Sequence, residues 1–458
     1  MAILSDPLTD VTGVPFGRPN LDLVAIGYTE DEYVFEGTAA RYQPRTGTEL
    51  GRDGRWDVEP AGTAPYRSRL VVYRPVDPAA FNGVVLVSWN NVSAGFDGYT
   101  VDSAEILARG YAYVAVSAQR AGVHGMGEHP MGLVQVNPAR YGRLSVPSDD
   151  YSFDIFSQAA RAVGADRPVA PVDPLGGFEV RHLVAVGGSQ SASRLGAYIN
   201  AIQPLDHLFD AFLLYLYFGG GSPLDVGEEV FNPGDGRLGR SSLPMISCRI
   251  REDLEARVMV VNSEVEALSC FGVRQPDTDW FRYWEAAGTA HVALQSMQAR
   301  LVAMGQDEAA AEPMRGINEV PLNPVAEAAY RWLEEWVGSG TPPPNQPLID
   351  FAGDPAEVVR DEHGIATGGI RLPQVEVPLA TNSAVPALGN PLGFLGGSCI
   401  PFSPEKVKAL YGDADTYLAR FEQATKAAQR AGVVLDRDAE SLIGEAKTAY
   451  EHAVGPAS

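Results

Sequence analysis

The sequence predicts an α/β fold, a mostly parallel twisted sheet with helices on both faces. Three observations carry that expectation. Compact apolar runs alternate with longer helical patterns, as βα units do. The first two strand candidates alternate only partly and have no long helix between them. One strand candidate runs through a serine preceded by two glycines directly into a helix.

Glu32–Thr38 and Arg67–Tyr73 are the partly alternating pair, expected to open the sheet in antiparallel fashion. Gly83–Trp89, Tyr111–Ser117, Leu183–Gly187, Ala211–Tyr217, Val258–Val261 and Phe281–Ala286 follow. Each is a short apolar run bounded by Gly, Pro or polar residues, the pattern of central strands covered on both faces. Helix candidates are Val101–Arg109, Ser152–Val163, Ser191–Ala201 and Val325–Val337, with apolar positions near 3.6 spacing. The Pro-rich stretch 338–348 marks the end of the wound sheet. Beyond it, Ser403-Pro404-Glu405 offers an N-cap and a Pro at N1 for a helix carrying Val407, Leu410, Tyr411, Leu418 and Phe421. A second C-terminal helix is expected over Asp438–Val454.

Composition narrows the function classes. With 35 Lys and Arg against 58 Asp and Glu, the net charge is −23. The four lysines, Lys406, Lys408, Lys426 and Lys447, all lie near the C-terminus. Nucleic acid and anionic membrane surfaces are therefore not expected partners, because both are bound through clustered basic side chains. Three cysteines are too few and too far apart for a Cys-based zinc site or a disulfide framework. No signal-peptide pattern opens the chain and no stretch reaches 18 apolar residues, so a cytoplasmic location is expected.

The chemistry concentrates on Val184-Ala-Val-Gly-Gly-Ser189-Gln-Ser-Ala192. A tight strand-to-helix turn at a serine tolerates only small residues two before and two after it, here Gly187 and Ser191. Ser189 is thus a candidate nucleophile, and the N–H of Gln190 a candidate oxyanion donor. Such a serine needs an acid and then a histidine further along the chain. Val258–Asn262 leads into Ser263-Glu264-Val265-Glu266, and Phe281–Ala286 leads through Gly288 to His291; the spacings are 266 − 189 = 77 and 291 − 266 = 25. His291 is the candidate base. Glu266 is the preferred acid and Glu264 the alternative, both expected on a loop. The turn after Gly83–Trp89 should supply a second oxyanion donor from Asn91 or Val92. Trp89, Gln119, Arg120, His124 and Tyr217 follow strands whose ends border such a site and are candidate substrate-lining residues. His124, Glu128 and His129 lie among glycines with spacing unsuited to one helix face, so neither metal nor cofactor is expected.

Trp89-Asn-Asn-Val-Ser-Ala-Gly95, Val116-Ser-Ala-Gln-Arg120, Tyr151–Gln158, Gly187–Ala192, Arg274–Asp279, Trp284–His291, Asp361-Glu-His-Gly364 and Gly368-Gly-Ile-Arg371 together resemble a bacterial alpha/beta-hydrolase-domain family. The resemblance spans nearly the whole chain. It implies a serine hydrolase with nucleophile and base at Ser189 and His291. Two positions depart from the family pattern: Gly188 stands where Glu is usual, and Glu264-x-Glu266 where Glu-x-Asp is usual. The expectation is an α/β-hydrolase module over 1–371, with a cap insertion within 218–250 and a C-terminal helical extension over 372–458 packed on it. It would cleave a small-molecule carboxylic ester or lactone through an acyl-enzyme. An acyltransferase using the same triad, or a non-catalytic ligand-binding relative, are the alternatives.

Overall fold

The computed structural model describes residues 2–9, 13–19, 21–99, 103–127, 130–168, 170–225, 245–303, 307–390 and 392–455. It falls into two compact units: one of 1–259, 273–281 and 336–340, the other of 260–272, 282–335 and 341–458. Each unit is assembled from three segments, and 372–458 groups with the segment bearing His291.

In the first unit the strands β1 (Ile3–Leu4), β2 (Tyr28–Pro44), β3 (Val58–Pro75), β4 (Val84–Trp89), β5 (Ala112–Val116), β6 (His182–Gly188) and β7 (Ala211–Tyr215) lie in the order β1-β2-β3-β5-β4-β6-β7. The β2–β3 hairpin and the β3–β5 pair are antiparallel, while β5, β4, β6 and β7 are parallel. This is the expected antiparallel opening followed by a wound parallel sheet. Every residue of β4 and β5 is buried, as continuous apolar runs between helical layers require. Helix α1 (Ser152–Val163) presents Phe153 and Phe156 to Trp89, with ring centroids 5.6 and 4.6 Å away. Helix α2 (Gln190–Ala197) is buried along its whole length, then passes into a π-helical turn over Tyr198–Ile202. The expected helix over Val101–Arg109 is shorter, Ala104–Ala108, capped by Ser103. Most of the expected cap insertion falls on 226–244, outside the described residues; flanking it, Gly220–Gly221 pairs antiparallel with Ile246–Ser247.

Strand β8 (Arg257–Ser263) crosses the division, and β9 (Phe281–Ala286) is its neighbour. In the second unit β8 runs into helix α3 (Glu264–Cys270), so the two candidate acids stand on a helix and not on the expected loop. Ser263 explains the difference. Its hydroxyl caps the helix while Glu266 reaches back to the Ser263 N–H, a reciprocal capping box. Chain 349–370 is sewn to β9: Ile370 N–H donates to the Glu285 carbonyl at 2.7 Å, and Ala287 N–H to that of Ile370 at 2.9 Å.

Helix α4 (Asn323–Ser339) precedes the Pro-rich stretch, whose Pro343 and Pro344 carbonyls accept from Arg282 and Trp284 at 2.7 and 2.9 Å. From Ser403 onward the described residues form three helices, α5 (Pro404–Tyr411), α6 (Ala414–Arg430) and α7 (Asp436–Val454), where two were expected. The Ser403 cap and Pro404 at N1 are as expected. Asp413 then caps a new helix by accepting the Thr416 N–H at 2.8 Å, which splits the expected first helix in two. Tyr411, Tyr417, Phe421 and Tyr450 bury the facing stripes. No helix among the described residues is long and apolar enough to cross a membrane.

Candidate active site

The serine turn lies in the first unit. Ser189 adopts φ 59° and ψ −118°, outside the regions open to ordinary L-residues, at the junction of β6 and α2. Its N–H is held by the Tyr215 carbonyl at 2.8 Å. A Cβ at Gly187 would come within 2.9 Å of Leu195 Cδ1 and 3.0 Å of the Ser191 backbone, so glycine two before the serine is a steric necessity. Gly188 is different. A Cβ there would meet nothing nearer than Tyr215 Cδ1 at 3.6 Å, so glycine is not required at this position. Ser191 Oγ braces the turn, 2.9 and 2.8 Å from the N–H and carbonyl of Gly188.

The neighbouring turn leans on the same point. Asn91 Nδ2 donates to the Gly188 carbonyl at 2.9 Å, whereas the Asn91 N–H is committed to the Gly98 carbonyl at 2.7 Å. That commitment removes Asn91 as a backbone oxyanion donor and leaves Val92 of the two candidates. Among the described residues, no hydrogen bond uses the N–H of Val92 or of Gln190.

Trp89 and Gln119 are buried and hydrogen-bonded to one another. Gln119 Oε1 accepts from Trp89 Nε1 and Gln190 Nε2, both at 3.0 Å, and its Nε2 donates to Asp149 at 2.8 Å. Asp149 also accepts from the Arg120 N–H at 2.6 Å and from Arg194 Nη2 at 3.1 Å. Asp149 and Arg194 went unnoticed in the sequence, and nothing short of the fold would mark them, since their partners are 29 to 45 residues away. Burial pushes the Arg194 guanidinium below its usual range, against the pull of Asp149 and Asp150. The Arg120 side chain is exposed. His124 Nε2 accepts the Val146 N–H at 3.1 Å; burial, with Arg120 adding to it, holds this imidazole below its ordinary pKa. Tyr217 is buried over Gly196, where a Cβ would approach its ring to 2.9 Å. Glu128 and His129 lie outside the described residues, and among the described ones no group of three His, Cys, Asp or Glu could hold a metal ion.

The acid and base meet within the second unit. His291 Nδ1 is 2.7 Å from Glu266 Oε1. A carboxylate only accepts, so Nδ1 carries the proton and Nε2 is the basic nitrogen. Glu266 is wholly buried, and its Oε2 accepts from the N–H and hydroxyl of Ser263. Glu264, also wholly buried, faces elsewhere: to Arg360, to the Gly288 N–H and to the Ala384 N–H. Of the two carboxylates, only Glu266 contacts the histidine in this way.

The first unit thus carries a strained serine between strand and helix, and the second a carboxylate–imidazole pair after later strands. A family model described as an alpha/beta hydrolase domain matches residues 4–444. The chain belongs to this alpha/beta hydrolase domain family. Membership supports hydrolase activity in general. Among solved structures this alpha/beta hydrolase is similar to esterase Est22 (11% identity, TM-score 0.32, covering 68% of this chain and 80% of that one). It is similar also to a glucuronoyl esterase from Solibacter usitatus (13%, 0.28, 57% and 76%) and to oligopeptidase B from Leishmania major (14%, 0.28, 57% and 33%). Among curated proteins, none matches the chain.

Proposed function

We propose that the chain is a serine hydrolase that cleaves a small-molecule carboxylic ester or lactone through an acyl-enzyme on Ser189. The observation that carries this reading is the backbone of Ser189. Strain of about 1–3 kcal/mol at a single residue persists only where the surroundings impose it, and such residues cluster at functional sites.

In the proposed reaction Ser189 Oγ attacks the ester carbonyl carbon while His291 Nε2 takes the hydroxyl proton. Glu266, bonded to Nδ1, stabilises the imidazolium that forms. The N–H groups of Gln190 and Val92 hold the carbonyl oxygen as it becomes an anion. The C–O bond to the alcohol then breaks, the alcohol leaves with the proton from Nε2, and the acyl group stays on Ser189. Water attacks the acyl-enzyme with Nε2 again as base, releasing the acid and restoring the Ser189 hydroxyl.

The test is Ser189→Ala with a fluorophosphonate label and a panel of p-nitrophenyl esters and lactones. Labelling should vanish and kcat should fall by about 10⁴-fold or more, with the thermal midpoint kept. Labelling that persists in the variant would place the nucleophile elsewhere.

A further inference from the structure

The Glu266 contact fixes one nitrogen of His291, but the loop carrying that residue needs its own anchor. The loop begins at Gly288, where φ is 67°. The Gly288 carbonyl accepts from Asn318 Nδ2 at 2.9 Å, and its N–H donates to Glu264 Oε2 at 3.0 Å. The other oxygen, Glu264 Oε1, accepts from Arg360 Nη2 at 2.7 Å and from the Ala384 N–H at 3.2 Å. One carboxylate therefore receives donors from three separate segments: the His291 loop, chain 341–370 and the strand end near residue 384.

Two features make this more than a packing detail. Glu264 is the first residue of α3 and Glu266 the third, so both project from one rigid helical turn locked by the Ser263 capping box. That turn grips the imidazole through Glu266 and the imidazole's backbone through Glu264. Secondly, Glu264 is completely buried while its cation Arg360 is 25% exposed. A buried carboxylate is tolerated only when paired and hydrogen-bonded, so the loop anchor depends on Arg360 remaining in place.

We propose that Glu264 and Arg360 form a positioning pair: through Gly288 they set where the His291 loop lies against Glu266, and through Ala384 they bind that setting to the C-terminal segment. This rests on the reading of His291 as the general base. Neither residue touches substrate; both act through the loop.

The test uses the full-length chain, p-nitrophenyl acetate kinetics, and NMR of the hydrogen-bonded Nδ1 proton of His291, assigned by its loss in His291→Gln. A misplacement of ~1 Å costs on the order of 10²-fold, so Arg360→Met should lower kcat by about 10- to 100-fold. KM should stay within about twofold, and the Nδ1 proton signal should shift or broaden. Arg360→Lys, which keeps the cation, should recover most of the rate. If Arg360→Met does not fold, the Lys variant carries the test through a small kcat loss at unchanged KM. Arg371→Met is the control: it breaks pairs with Asp361 and Glu376 in the same segment without touching Glu264, and should lower the thermal midpoint while leaving kcat and the proton signal unchanged. Wild-type kcat and signal in Arg360→Met, or an equal kcat loss in Arg371→Met at equal midpoint loss, would overturn the pairing. If Glu266→Gln leaves kcat intact, the triad reading itself fails; if Glu266→Gln is inactive and Arg360→Met is not impaired, only the positioning role fails.

Discussion

Replacing Glu266 by Gln separates the two duties of this carboxylate. In the native chain one oxygen accepts a hydrogen bond from His291 Nδ1–H at 2.7 Å, and the other accepts from the N–H (at 3.1 Å) and hydroxyl of Ser263. The amide keeps the shape but turns one acceptor into a donor and removes the charge. If the amide nitrogen faces Ser263, one capping interaction of α3 is lost, costing about 0.5–2 kcal/mol, a fraction of the net stability of a domain. If it faces His291, the imidazole is driven to the wrong tautomer. Either way the imidazolium loses its counter-charge. Loss of the triad carboxylate by the same acid-to-amide change costs about 10⁴-fold in a serine protease, so we expect a fall in kcat of about 10³- to 10⁴-fold, or ~4–5.5 kcal/mol at 1.36 kcal/mol per tenfold. Initial rates on a p-nitrophenyl ester, beside thermal unfolding of the same preparation, measure both quantities. A kcat loss below tenfold, or a larger kcat loss in Glu264→Gln at matched stability, would refute the assignment of Glu266 as the acid.

Three further outcomes follow from the geometry. Ser189→Gly should be more stable than Ser189→Ala by about 1 kcal/mol, because glycine relieves the strain at φ 59° by more than its added chain entropy costs; equal midpoints would remove the strain argument. Burial pushes the thiols of Cys248, Cys270 and Cys399 up to about 11, 12 and 12, so none should react with a disulfide reagent at pH 8 until the chain unfolds. Unfolded thiols ionise near pH 8.5 while these stay protonated, so stability should decline as pH rises above about 9; rapid labelling of the native chain would contradict this. Truncation after Gly338 removes Arg360 and the Ala384 N–H from Glu264, the Pro343 and Pro344 carbonyls from Arg282 and Trp284, and all of α5–α7. Burying four Leu- or Phe-sized side chains contributes roughly 6–12 kcal/mol, so the product should be insoluble or inactive, and a soluble fragment with native kcat/KM and midpoint would count against it.

What was legible in the sequence was local. Ser152–Val163 and Phe281–Ala286 stand where periodicity and apolar runs put them, because burial on one stripe or both faces leaves a direct mark. The serine turn was legible because sterics restrict its neighbours, as the close approach at Gly187 shows. Long-range pairing was not. The hairpin β2–β3 runs 17 and 18 residues, well past the recognisable cores, since its outer halves contain Gly62, Pro60 and Pro65 and are held by each other. Ser263 is a good cap residue, yet it sits where a loop was expected, so α3 was missed. The direction of Glu264 and Glu266 depends on which side of that turn meets His291, which residue types alone do not encode. Gln119 faced the same limit: its partners Trp89, Gln190 and Asp149 are far apart in the sequence and come together only in the fold.

Mass spectrometry of the chain quenched in acid during turnover of a slowly deacylated ester tests most directly whether the substrate's acyl group passes through Ser189. We expect an adduct of the acyl mass on the peptide spanning 182–194, at Ser189, absent in Ser189→Ala and lost with time in water. Full hydrolysis with no adduct at Ser189, or the same adduct on another residue in both proteins, would contradict it.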